Sequence, residues 1–110
     1  MNLTVKVVDG IEKSILHVAG EIDAYTAPKL KEALLPLTKV DGRIVEVDLE
    51  NVNYMDSTGL GVFISALKST KESNSSLTLI NLQDRVHRIF EITGLDEVID
   101  IKATIRGGNE

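Results

Sequence analysis

The apolar residues of this chain switch repeatedly between a spacing of two and a spacing of three to four. Leu3, Val5 and Val7 alternate with Thr4 and Lys6 over residues 3–8, the period of a strand that buries one face. Asp9-Gly10 then signals a turn. A second strand is predicted over about 14–20, with Leu16 and Val18 facing one way and His17 the other. The pair reads as an antiparallel hairpin. From Leu30 the period changes: Leu30, Ala33, Leu34 and Leu37 form one apolar helix face. Thr26 is placed to cap that helix and Pro28 suits its first turn. Pro36, which lacks a backbone donor, should kink it or end it early.

Period two returns at 43–49, where Val45, Val47 and Leu49 alternate with Glu46 and Asp48. A loop is expected from Asn51 to Asp56. Leu60, Phe63, Ile64 and Leu67 mark a second helix, Leu77 to Ile80 a fourth strand, and Val86, Ile89 and Phe90 a third helix. Gly94 followed by Leu95 suggests a Schellman-type helix stop. Val98 to Ile101 is a short apolar segment that the pattern leaves unassigned. Strands that alternate with helices must run parallel through right-handed crossovers. The expected fold is therefore α/β: one mixed sheet with an N-terminal hairpin, then parallel strands, and helices packed on the sheet. A length of 110 residues accommodates a single domain over 1–110, with residues from about 103 to 110 expected to be a loose tail.

Twelve basic and 17 acidic side chains give a net charge of −5. That balance argues against nucleic acid and against an anionic membrane as partner, since both call for a basic face. Cysteine is absent, which removes disulfides, thiolate metal sites and cysteine nucleophiles. The only histidines are His17 and His87, and no close cluster of acids and histidines suggests a metal. No leader pattern or membrane-length apolar run is seen, so a cytoplasmic location is expected. No cofactor is implied.

The segment from Tyr54 to Phe63, Tyr-Met-Asp-Ser-Thr-Gly-Leu-Gly-Val-Phe, follows a strand and opens a helix. That junction is where α/β sheets concentrate function. Asp56 or Ser57 is the expected N-cap. Gly59 and Gly61 fall in the first turns, where each costs ~1 kcal/mol relative to alanine, so a close approach to the backbone is the simplest reason for them. A phosphate on Ser57 would meet unpaired N–H groups and the positive end of the helix dipole, gaining ~0.3–1 kcal/mol. It would also add about −1.5 to −2 charges. One like-charge pair at about 4 Å costs roughly 4 kcal/mol at an effective dielectric of 20. Modification here should switch an interface rather than melt the domain. Plain capping explains the same residues. A phosphate-binding loop is disfavoured because no lysine stands in the segment before Lys68.

The element order, Gly20-Glu21-Ile22-Asp23 before the first helix, Met55-Asp56-Ser57-Thr58-Gly59-Leu60-Gly61 and Ile92-Thr93-Gly94-Leu95 together resemble the STAS domain. More narrowly, the chain resembles the bacterial anti-sigma factor antagonists of the general-stress, sigma-B type. The resemblance implies that Ser57 is phosphorylated by a partner that is both anti-sigma factor and serine kinase; Thr58 beside it is a second hydroxyl and, from its position, a candidate minor acceptor. It implies that the unmodified form binds this kinase and frees the sigma factor, and that a PP2C-type phosphatase restores Ser57. It places Asp23 on the partner-facing surface, with Thr26 beside it. The expected partner-binding set is Asp23, Thr26, Asp56, Ser57, Thr58, Gly59, Leu60 and Gly61.

Blander readings stand beside these. Asp23 suits an Asx turn, and Thr26 and Asp56 suit capping. Tyr54 and Met55 suit packing at a strand end, and His17 and His87 suit solvated faces. A serine nucleophile at Ser57 lacks the Gly-x-Ser-x-Gly elbow, so no catalytic residue is expected. The alternative function is a STAS scaffold or signalling subunit with no sigma-factor partner.

Overall fold

The computed structural model describes residues 2–102; the expected loose tail lies outside them. Strand β1 (Leu3–Asp9) turns back into β2 (Lys13–Ile22). Helix α1 (Ala27–Thr38), strand β3 (Ile44–Met55), helix α2 (Ser57–Ser73), strand β4 (Ser76–Ile80) and helix α3 (Asp84–Thr93) follow. A 3-10 turn at Leu95–Glu97 leads into a short β5 (Asp100–Lys102). The five strands lie in chain order, β1-β2-β3-β4-β5. β1 and β2 are antiparallel and every later pair is parallel, as the expected mixed sheet requires.

Because β2 to β5 advance in one direction, right-handed crossovers place all three helices on the same side of the sheet. Leu16 and Val18 of β2, Val45, Val47 and Leu49 of β3, and Leu79 of β4 are buried against them. Leu30 and Leu34 of α1, Phe63 of α2 and Phe90 of α3 are fully buried from the helix side. Each such side chain contributes about 1.5–3 kcal/mol by leaving water. Phe63 and Phe90 meet edge to face with ring centres 5.7 Å apart. The opposite sheet face carries Lys6, His17 and Asp48, and the Lys6 and His17 side chains are exposed.

The hairpin turn is tied down from β3's side. The Arg43 guanidinium donates to the carbonyls of Gly10 and Ile11, both at 2.8 Å, and its Nε to Ser14 Oγ at 3.0 Å. Pro36 stands inside α1, which ends two residues later at Thr38. Gly94 stops α3 with a φ of 78°, its N–H on the Glu91 carbonyl.

One expectation about these elements needs correction. The segment from Asn51 to Met55 is strand, not loop: β3 runs twelve residues because β2 also extends, pairing Gly20 with Val52, Glu21 with Tyr54 and Ile22 with Met55. The register slips between His17 and Ala19 and again between Gly20 and Glu21, so the pairing passes through bulges. Gly20 has a φ of 119°, and a Cβ there would lie 2.2 Å from the Asn2 carbonyl oxygen. Only glycine fits that bulge. The unassigned segment at 98–101 divides: Val98 is exposed beside the 3-10 turn, Ile99 is buried at 2% exposure, and Asp100 starts β5.

Candidate functional site

β2 and β3 end side by side, and this decides what their loops can do. The Asp56 N–H donates to the Ile22 carbonyl at 3.2 Å. The chain therefore enters α2 next to the point where β2 leaves for α1. Asp23 to Thr26 and Asp56 to Gly61 are brought together at the C-terminal ends of the parallel strands, where N-terminal helix turns face outward.

Asp56 is the N-cap of α2, with an extended backbone. Its Oδ1 accepts the Thr58 N–H at 2.9 Å and also the Thr58 hydroxyl. One carboxylate oxygen thus satisfies an orphan backbone donor of the first turn and fixes the neighbouring hydroxyl. Ser57 and Thr58 are both exposed. The Ser57 hydroxyl makes no hydrogen bond among the described residues. Gly59 and Leu60 turn inward and are buried, and Gly61 faces out.

The close approach expected at the two glycines exists at one of them, and it is internal. A Cβ on Gly59 would lie 2.5 Å from Met55 Cγ and 2.8 Å from Ile22 Cγ2. The ends of β2 and β3 press directly on the helix backbone there. A Cβ on Gly61 would meet nothing within 4 Å.

The loop before α1 is capped differently from the expectation. Thr26 stands at the formal start of α1, but its side chain makes no cap bond to the helix. The preceding turn is capped by Asp23, whose Oδ1 accepts the N–H groups of Tyr25 at 2.9 Å and Thr26 at 3.0 Å. The Thr26 hydroxyl accepts the Asp23 N–H at 2.9 Å and donates to the Glu21 carbonyl at 2.7 Å. This is the reciprocal capping-box arrangement, shifted one turn upstream. Asp23 and Thr26 are each only 7% exposed, so their side chains are spent on shaping the loop. What the loop presents outward is Tyr25, 88% exposed. Sequence reasoning did not single out Tyr25, and it counted Ile64 among the apolar markers of α2, where the structure leaves it 38% exposed. A bulky aromatic inside a turn was the available signal for the first. The second shares the outward stripe of Gly61 and Lys68.

Among the described residues, neither histidine is placed to act on Ser57. His17 Nδ1 pairs with Asp48 Oδ2 at 2.9 Å on the sheet face away from the helices, and His87 is on α3. No cluster of His, Cys, Asp and Glu able to hold a metal occurs among the described residues. No helix among them is long and apolar enough to cross a membrane.

Comparison with known proteins matches residues 2–107 to the STAS domain family. The anti-sigma-B factor antagonist of Listeria monocytogenes is 50% identical over 103 residues, covering 93% of this chain and 90% of the relative. That of Bacillus subtilis is 46% identical over 108 residues, covering 98% of each. Among solved structures, an anti-sigma factor antagonist from Mycobacterium paratuberculosis superposes with a TM-score of 0.83 at 25% identity, over 94% of this chain and 88% of that one. The fold, the length of the match and the level of identity agree: the chain belongs to the STAS domain family and has the anti-sigma-B factor antagonists among its relatives.

Proposed function

We propose that this chain is an anti-sigma factor antagonist switched by phosphorylation of Ser57. Unmodified, it binds an anti-sigma factor that is also a serine kinase, and the bound kinase releases its sigma factor. Phosphate on Ser57 abolishes that binding, and a PP2C-type phosphatase restores it. The chain acts in the cytoplasm as a regulator without catalysis of its own. The whole-length similarity to anti-sigma-B factor antagonists supports the role.

One observation carries the switch. Ser57 is exposed, and its hydroxyl is free of partners among the described residues, on a helix start anchored by buried Gly59 and Leu60. Ser57, Thr58, Gly61 and Tyr25 supply the docking surface. Asp23, Thr26 and Asp56 set the backbone that presents it, and Gly59 and Leu60 hold it from below. Titration calorimetry with the anti-sigma factor tests this. Ser57→Ala should bind within about threefold of the unmodified chain. Ser57→Asp should bind at least tenfold more weakly, about 1.4 kcal/mol or more. A folded Ser57→Asp chain that binds undiminished overturns the reading.

A further inference from the structure

We propose that Asp56 selects which of two adjacent hydroxyls is modified, by engaging Thr58 and leaving Ser57 free. The proposal rests on the phosphorylation reading above and assigns its selectivity to a positioning residue. Ser57 and Thr58 are neighbours in the first turn of α2, and both are exposed, so access alone does not separate them. Hydrogen bonding does. Asp56 Oδ1 holds both the N–H and the hydroxyl of Thr58. No described residue holds the hydroxyl of Ser57.

In the transfer, Ser57 Oγ attacks the γ-phosphorus of a nucleoside triphosphate carried by the kinase. The new O–P bond forms as the bond from that phosphorus to the bridging oxygen breaks. The nucleoside diphosphate leaves, and the hydroxyl proton passes to a base of the kinase. The same attack from Thr58 has two obstacles. Its hydroxyl must first give up a charge-assisted bond. The incoming anionic phosphoryl group would then arrive against the Asp56 carboxylate, anion against anion. The loss of a hydrogen bond to a charged group alone corresponds to about tenfold or more in relative rate.

The full chain is incubated with ATP, magnesium and the anti-sigma kinase of its own cell, and the phosphate is located by fragment mass spectrometry. The parent should carry Ser57 phosphate at least about tenfold over Thr58 phosphate. Asp56→Gly removes the acceptor while keeping a tolerated N-cap residue. It should shift the ratio toward Thr58 by about tenfold or more. Asp56→Asn keeps an acceptor oxygen without the charge and should restore the preference for Ser57 only in part. Ser57→Ala should take little phosphate, and Ser57→Ala combined with Asp56→Gly should take it on Thr58. An unchanged ratio in Asp56→Gly overturns the proposal. So does ready modification of Thr58 in Ser57→Ala, or a Thr58 that stays unmodified in both Asp56→Gly chains. A parent chain modified at neither hydroxyl overturns the phosphorylation reading itself, and this selectivity with it.

Discussion

Gly59 and Gly61 are two positions apart on α2 and answer to different constraints. Gly59 has the ends of β2 and β3 against its backbone, with Ile22 fully buried. Gly59→Ala forces Met55 and Ile22 to move. Overpacking of this kind costs about 1–3 kcal/mol, against about 1 kcal/mol returned by the better helix former. Urea denaturation should show a net loss of up to about 2 kcal/mol, and a net gain would mean that Met55 swings aside freely. Gly61 has open space instead. Gly61→Ala should stabilise the fold by about 0.5–1 kcal/mol and weaken partner binding by adding a methyl group to the proposed docking face. A variant that is more stable and binds normally removes Gly61 from that face. The helical phase already held this distinction. Gly59 shares a face with Val62, Phe63 and Ala66, at +3, +4 and +7, and all are buried. Gly61 shares one with exposed Ile64 and Lys68. By contrast, the true cap at Asp23 was masked, because Thr26 alone satisfies the local preference.

At the scale of elements, β3 explains what local pattern can and cannot carry. Its first half alternates cleanly and was legible as a strand. Its second half buries Leu49, Val52 and Met55, a spacing of three that breaks the period. Asn51 and Asn53 also disfavour strand. The break comes from register slips against β2, a long-range pairing that no local window contains. β3 also carries a titratable bridge on the sheet face opposite the helices. Asp48 accepts from Asn81 of the segment after β4 and from the Glu50 N–H, both at 3.0 Å, and pairs with His17 of β2 at 2.9 Å. Burial on its own would raise the Asp48 pKa. The hydrogen bonds from Asn81, Glu50 and His17, with the nearby His17 charge, bring it below the usual carboxylate range. A carboxyl depressed in the folded state adds stability that is present above its unfolded pKa, near pH 4. That stability is lost as pH falls through the folded value. Urea midpoints followed downward from about pH 5 should therefore fall more steeply for the parent than for Asp48→Asn. Parallel curves would show that the Asp48 bridge adds nothing to folding.

Across the whole molecule, the core and the proposed switch occupy different places. The core is the layer between three helices and one face of the sheet, and Ser57 is exposed at the ends of the parallel strands, with a buried packing shell beneath it. A charge added there touches few of the contacts that hold the fold. The positive end of α2 returns ~0.3–1 kcal/mol to an anion in its first turn, and repulsion from the neighbouring Asp56 offsets part of that. The balance for Ser57→Asp should stay within about 1 kcal/mol, which for a domain of this size is a shift in Tm of no more than about 4–8 °C. Scanning calorimetry of the parent and Ser57→Asp chains reads this directly. The same substitution should lower affinity for the anti-sigma factor by at least tenfold. A large drop in Tm would mean that loss of binding reports unfolding, and the interface switch would then have no support from that variant. A near-constant Tm with a large loss of binding is what a charge acting only across a docking surface must produce.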